Sequence, residues 1–562
     1  MTNGSARAVL LAAALAGCQE NTPPSPSDDA PQVSVLYVCG NRFDLENRNT
    51  SSVTIRYEVM GSSEQGELLL PPAPDRESVS VTRLVTLHSG TIRLFHRDKA
   101  LSPVDNPGTA CPEAAPEAGP AATSGHWDTP LAWPVVAVHL HLLPSGKVLS
   151  WGAVGTPQVW NPETGEFTPA PSSTMLFCSG HAFLPNGNLL VAGGHIAEHR
   201  GLPDANLFDP MAQTWISAPS MSRGRWYPTS TTLADGRVLT LGGRDGSGTE
   251  VDVPEVWTGS AWQPLPGARR ALPYYPRTFV APHGLVFYAG ELRETAYLDP
   301  EGSGHWTPVA ASRYGRRDYG SAVMYRPGKV MIVGGSDPPE GTPTNTAEVI
   351  DLGDPAPGWQ YTGPMAHPRR QLNTTLLPDG RVLATGGTSA AGFSNPAGAV
   401  RVAEVWDPLT GDWQVLAGNR VTRVYHSSTL LLPDGRVLHA GSGDGAGLPR
   451  ELSAEIFSPP YLFRGRRPVI AEAPATVSYG QQFFVRTPDA GLAVRATLVR
   501  LGSVTHGFDQ NQRFLELALQ RTAAGLSLKA PSTGDLAPPG DYLLFIVSDA
   551  GVPSVARMVR LG

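Results

Sequence analysis

The chain has 562 residues, more than one compact core can use, so two to four domains are expected. With 61 Gly, 54 Pro and only 17% charged residues, it suits many short strands joined by tight turns rather than helices. The net charge is −7 with no long basic run, which argues against nucleic acid as a partner and leaves small neutral or cationic substrates open.

In chain order, Met1 to Arg7 carries one positive charge, and Ala8 to Ala16 is an apolar run too short to span a bilayer. Leu15-Ala16-Gly17-Cys18 resembles the lipobox of bacterial lipoproteins, so residues 1–32 are expected to be a removed signal and a Pro-rich tether. The expected location is outside the cytoplasm, lipid-anchored through Cys18 at the bacterial cell envelope, with plain secretion as the alternative. Residues 33–111 hold alternating runs such as Val53-Thr54-Ile55-Arg56-Tyr57, expected as an N-terminal β-sandwich, either a carbohydrate-binding module or a spacer. Cys39 and Cys111, at its two ends, could form a disulfide, which leaves Cys178 as an odd thiol. Residues 112–126 read as a linker.

Residues 127–462 repeat. The unit is an apolar strand, an x-Gly turn, a second apolar strand and a small-residue stop, as in Leu377-Pro378-Asp379-Gly380-Arg381-Val382-Leu383. The turn glycines are Gly146, Gly187, Gly236, Gly284, Gly328, Gly380 and Gly435, spaced 41 to 55 residues apart, near kelch length. A third strand with a polar turn and a Trp follows most units, as in Glu404-Val405-Trp406-Asp407-Pro408 before Trp413. A four-stranded blade cannot bury both faces alone, so a seven-bladed kelch-type β-propeller is expected. Residues 463–562 change rhythm, with strands such as Gln482-Phe483-Phe484-Val485-Arg486, and read as an immunoglobulin-like C-terminal β-sandwich. The fold class is all-β throughout.

The repeat also serves as a ruler. Eight residues before the residue that precedes each turn glycine stand Ala137, Cys178, Tyr227, Tyr275, Tyr319, Gln371 and His426. Equivalent positions in a propeller form a ring at one end of its axis, so the odd Cys, a Tyr and a His belong together. Tyr425 adjoins His426. A second imidazole is available from His506, in the polar stretch Gly502 to Gln510, if that loop reaches into the propeller. Two imidazoles with phenolate oxygen and an open position suit Cu(II) and argue against structural zinc. Taken singly, Cys178 reads as a small buried residue, Tyr425-His426 as strand packing and His506 as a loop residue; their coincidence on one ring favours a metal site. Tyr275, Tyr319 and Gln371 line a pocket or pack the channel. His139, His141 and His195 match no ligand pattern and read as structural.

Four separated motifs resemble the copper-radical oxidases, the galactose oxidase and glyoxal oxidase family, and the resemblance runs from about residue 127 to the C-terminus. Phe177-Cys178-Ser179-Gly180 is similar to the family's cross-linking cysteine motif. Arg225-Trp226-Tyr227-Pro228 resembles the equatorial tyrosine motif, nearer to the glyoxal oxidase type. Val424-Tyr425-His426-Ser427 and Val504-Thr505-His506 resemble the histidine motifs. The resemblance implies one copper ion held by Tyr227, Tyr425, His426 and His506, and a Cys178–Tyr227 thioether that serves as a radical cofactor. It implies that Tyr425 takes the substrate's hydroxyl proton and Tyr227 a carbon-bound hydrogen, with O2 leaving as H2O2. A small alcohol or aldehyde would be the substrate. Galactose oxidase has a tryptophan after the Gly-Gly stop of the tyrosine blade; here Gly242-Gly243 leads to Arg244-Asp245, so Tyr227 is expected to be less shielded unless another aromatic residue stands in. The competing reading is a non-catalytic surface propeller that binds glycans or proteins, and the five metal-site residues weigh against it.

Overall fold

The computed structural model describes residues 32–39, 41–72, 80–97, 99–107, 121–445, 447–522 and 524–562. The expected lipobox at Cys18 and Cys111, one half of the expected disulfide, lie outside the described residues, as does the side chain of Cys39.

Strand formation follows the alternating sequence. Near the N-terminus, strands Val33–Cys39, Arg42–Asn47 and Ser80–Val85 form one antiparallel sheet, and Gln65–Leu70, Val53–Val59, Ile92–His96 and Lys99–Ala100 form another. Phe43, Leu45, Ile55 and Leu94 are fully buried in the core of these strands.

From residue 126 to 458 the repeats become successive antiparallel sheets. A representative one runs Gly180–Phe183, Leu189–Ala192, Ala205–Asp209, Thr214–Ala218; the next begins at Thr229–Thr232, and later ones at Thr278–Val280, Ser321–Arg326, Asn373–Leu376 and Ser427–Leu431. The turn glycines take φ between +75° and +90°, a region a side chain would disfavour, which is why the x-Gly turn recurs in every unit. Neighbouring sheets touch through their first strands, whose residues are buried on both faces. The sheet that begins at Ser427–Leu431 is completed from the other end of the region: Trp127 pairs with Phe457 and His126 with Ser458. Residues Ala121–Ser124, expected to be linker, instead form a short helix; Gln414 Nε2 donates to the carbonyl of Thr123 at 3.0 Å.

The C-terminal residues form a seven-stranded sheet around its own apolar core, including Val485, Leu526, Leu528 and Ile546. It grips the repeats from one side: Thr497 Oγ1 donates to the Pro378 carbonyl at 2.9 Å and Arg513 to that of Val280 at 2.9 Å. Between its strands Ala493–Arg500 and Phe514–Thr522, a hairpin (Ser503–Thr505 and Phe508–Asp509) leaves the domain. The expectation of a polar loop here is corrected. The segment is a buried hairpin that pairs with His139–His141, adding strands to the first repeat sheet, and touches the first strands of four other sheets. That pairing gives backbone partners to Ser503–Thr505, which lowers the cost of burying the hairpin among the sheets.

Candidate metal centre

The ring positions counted from the sequence share one backbone state. Cys178, Tyr227, Tyr275, Tyr319, Gln371 and His426 all have φ between +47° and +67°. Only Ala137 departs. The left-handed conformation costs a non-glycine residue about 1–2 kcal/mol, and neighbours hold it in place: Tyr227 N–H donates to the Cys178 carbonyl, Tyr275 N–H to that of Tyr227 and Gln371 N–H to that of Tyr319, at 2.8 to 2.9 Å. Three neighbouring pairs in the ring are thus joined by backbone hydrogen bonds that pass from sheet to sheet.

Buried ion pairs anchor the loops that carry it. Arg225–Glu255, Arg317–Glu348, Arg369–Glu404 and Arg423–Glu455 lie at 3.0, 2.7, 2.6 and 3.2 Å, each arginine two or three residues before a ring residue. Each guanidinium also donates to the carbonyl of a stop glycine, Gly242, Gly334, Gly386 or Gly441.

At the axis the expected residues converge. The hydroxyls of Tyr227 and Tyr425 are 2.7 Å apart, and His506 Nε2 is 2.9 Å from the Tyr227 hydroxyl, although 279 residues separate them. His426 and His506 stand edge to face with ring centroids 4.7 Å apart. His426 donates its Nδ1–H to the Gly443 carbonyl at 2.6 Å, which leaves its buried Nε2 with a lone pair and no hydrogen-bond partner. His506 Nδ1 engages Thr505 Oγ1 at 2.7 Å. Both imidazoles are kept neutral by burial, His426 held down to about 4 and His506 well below the ordinary value. Burial likewise pushes the Tyr227 and Tyr425 phenols up, so their ionised forms need a cation nearby. An orphaned, buried imidazole nitrogen beside two phenol oxygens and a second neutral imidazole is a donor set that fits Cu(II). Among the described residues, no group of three or more His, Cys, Asp or Glu is placed to hold a metal ion, so at this site the phenol oxygens of Tyr227 and Tyr425 would complete the donor set of the two imidazoles.

Cys178 is fully buried, is a free thiol among the described residues, and packs in one cluster with Trp226, Tyr227 and Tyr275. Burial raises its thiol pKa well above the usual value, so the resting group is a thiol. Another aromatic residue does stand in over Tyr227: Trp226 stacks on its ring at 3.8 Å between centroids and 6° between planes, held by Trp226 Nε1–H donating to His195 Nδ1 at 3.0 Å. The covering residue comes from the position just before Tyr227 instead of from the Gly-Gly stop. Arg244 pairs with Glu250 and Asp245 with Arg223.

A cavity of about 340 Å³ opens onto His506. Tyr274, Tyr275, Tyr319 and Phe393 form its aromatic wall, with Arg277, Glu291 and Arg316 beside them. Gln371 stays behind this wall, donating to the Phe393 carbonyl. His195, taken as structural, is the acceptor that orients Trp226. His139 and His141 are buried directly beside the site, together with His181, which the sequence reading passed over; nothing in the repeat pattern distinguished them.

Comparison with known proteins agrees with this geometry. The model for the glyoxal oxidase N-terminus matches residues 340–461, and that for the galactose oxidase-like early set domain matches 467–561. Galactose oxidase of Gibberella zeae is 30% identical over 487 residues, covering 78% of this chain and 70% of that one. Aldehyde oxidase GLOX of Vitis pseudoreticulata is 30% identical over 480 residues, covering 75% and 89%. A copper complex of a fungal alcohol oxidase of the AA5 family superimposes with a TM-score of 0.72 at 25% identity, covering 78% of this chain and all of that one. The chain belongs to the galactose oxidase and glyoxal oxidase family of copper-radical oxidases.

Proposed function

We propose that this chain is an exported copper-radical oxidase that converts a primary alcohol or aldehyde hydrate, with O2, to the aldehyde or carboxylic acid and H2O2. The observation that carries the reading is the convergence of four side chains: the Tyr227 hydroxyl meets Tyr425 and His506, the His426 ring lies against Tyr425 and His506 with its Nε2 unpartnered among the described residues, and Cys178 packs with Tyr227. In this reading residues 127–462 are a seven-bladed kelch-type propeller between an N-terminal sandwich (33–111) and an immunoglobulin-like domain (463–562), with residues 1–32 supplying export and an anchor at Cys18.

Tyr227, Tyr425, His426 and His506 would hold one copper ion, which supplies Lewis acidity and one of the two oxidising equivalents. The chain does the rest. Tyr425 accepts the substrate's hydroxyl proton, which its contact with the Tyr227 hydroxyl places within reach of the ligand set. Tyr227, joined to Cys178 through a thioether and covered by Trp226, takes the carbon-bound hydrogen as a phenoxyl radical. The aromatic wall of the cavity excludes water and orients the substrate carbon chain.

The pocket's guanidiniums each have a protein partner: Arg316 bonds Glu291 at 3.0 Å, Arg244 bonds Glu250 at 2.9 Å, and Arg277 bonds the Gly320 carbonyl at 2.7 Å. That favours neutral substrates over carboxylates. The test is copper loading of the purified chain followed by peroxide release with glycolaldehyde, methylglyoxal and simple alcohols. Copper uptake with a mass loss of two hydrogens and peroxide release supports the oxidase. Absence of all three returns the chain to the class of binding propellers.

A further inference from the structure

Three imidazoles that the reaction does not use are sealed beside Cys178. His139, His141 and His181 are fully buried. His139 and His141 stack on the same Trp151 ring, with centroids 5.0 and 4.4 Å away. A single backbone donor sets the proton positions of all three. Cys178 N–H donates to His139 Nε2 at 3.2 Å, so the His139 proton lies on Nδ1 and is donated to His181 Nε2 at 3.1 Å. The His181 proton is then on Nδ1 and goes to Ser503 Oγ at 2.6 Å. The Ser503 hydroxyl donates onward to His141 Nδ1 at 2.9 Å, and the chain ends at His141 Nε2, which has no partner among the described residues. Burial keeps the three rings neutral, His181 at about 3, so each has one donor and one acceptor and the chain has one direction.

This chain starts from a strained residue. Cys178 has φ +64°, and its backbone is held on both sides, by His139 at its N–H and by Tyr227 N–H at its carbonyl. With both backbone groups engaged, little freedom remains except χ1, and the thiol has few places to go other than the Tyr227 ring.

We propose that His139, set in one tautomer by the Cys178 N–H and held in place by the His181–Ser503–His141 chain, is a positioning residue that presents the Cys178 sulfur to the Tyr227 ring for thioether closure. The proposal rests on the oxidase reading above. In the closure the Cys178 S–H bond and one Tyr227 ring C–H bond break and one S–C bond forms. Two protons and two electrons leave, and O2 accepts them as H2O2 in the presence of copper.

The experiment starts from copper-free protein, adds Cu(II) and O2, and follows the loss of two hydrogens by peptide mass, with copper affinity and thermal stability measured in parallel. His139→Ala is expected to close at least about tenfold more slowly at saturating copper, the factor that loss of one net hydrogen bond of about 1.4 kcal/mol produces. His139→Gln, whose amide offers the same acceptor and donor pair, is expected to recover the wild-type rate to within about threefold. A merely structural role would move stability without this rescue. Closure of His139→Ala at the wild-type rate overturns the proposal, as does failure of glutamine to recover it. Where His139→Ala does not fold, Ser503→Ala decides, because it removes the relay hydroxyl and keeps every ring: a slowed closure supports the proposal and an unchanged rate overturns it. If wild-type protein with copper never loses two hydrogens, the oxidase reading itself fails, a result separable from any difference between variants.

Discussion

Replacing Arg225 by methionine removes the anchor of the loop that carries Tyr227. Arg225 is fully buried and makes three hydrogen bonds, to the Gly242 carbonyl at 2.9 Å, the Val253 carbonyl at 2.7 Å and Glu255 Oε1 at 3.0 Å. Two neutral acceptors at about 1 kcal/mol each and one charged partner at about 2 kcal/mol give a loss of about 4 kcal/mol. That agrees with the ~3–5 kcal/mol expected when a buried pair loses one member. Glu255, 1% exposed, would keep only the Ser222 N–H, at 2.9 Å. The matched control is Arg369→Met, which breaks the equivalent pair with Glu404 in a loop whose ring residue, Gln371, is not among the proposed ligands. Denaturant unfolding should show a similar loss for both variants, whereas copper titration and thioether mass should change only for Arg225→Met. The double variant Arg225→Met/Glu255→Leu should regain about 1–2 kcal/mol, because it no longer buries a bare carboxylate. A cost under about 1 kcal/mol for Arg225→Met, or equal copper loss in both single variants, refutes the view that these pairs position individual ring residues.

Further outcomes follow from the same geometry. Trp226→Ala uncovers the Tyr227 ring and should shorten the lifetime of the tyrosyl radical signal in electron paramagnetic resonance while the thioether still forms. Copper at a hundredfold excess over its Kd should stabilise the folded chain by about 2.7 kcal/mol, and His426→Ala, which removes the unpartnered Nε2, should abolish that gain in thermal unfolding. Burial holds the Glu291 carboxyl up at about 7, against the pull of Arg277 and Arg316 and with Asp318 beside it. Because the folded form binds this proton more tightly than the unfolded chain, stability should fall as pH rises from about 4.5 to about 7, by at most ~1.4 kcal/mol per unit. Glu291→Gln should flatten that slope in unfolding measured across the same range.

Much of this organisation was legible before any coordinates. A hairpin with a glycine at positive φ leaves a mark every few dozen residues, and so the repeat served as a ruler that brought Cys178, Tyr227 and His426 into register. The shared left-handed backbone at six of the seven counted positions is the physical reason that count worked. His506 was nominated without any such periodicity, and its form was misjudged: a buried hairpin completes its hydrogen bonds with His139–His141, a partner some 360 residues away that local sequence does not reveal.

The linear order of side chains thus determined which elements form and which residues share a ring, because turns and alternation are local. Only tertiary structure decided what covers and what holds those residues. Trp226 shields Tyr227 because its indole is held over that ring by a hydrogen bond to His195, 31 residues away. The His139–His181–Ser503–His141 chain exists because two strands distant in sequence pair at the axis. Burial then settles the protonation of every group there, through the cost of charge away from water, and that cost is a property of the assembled interior.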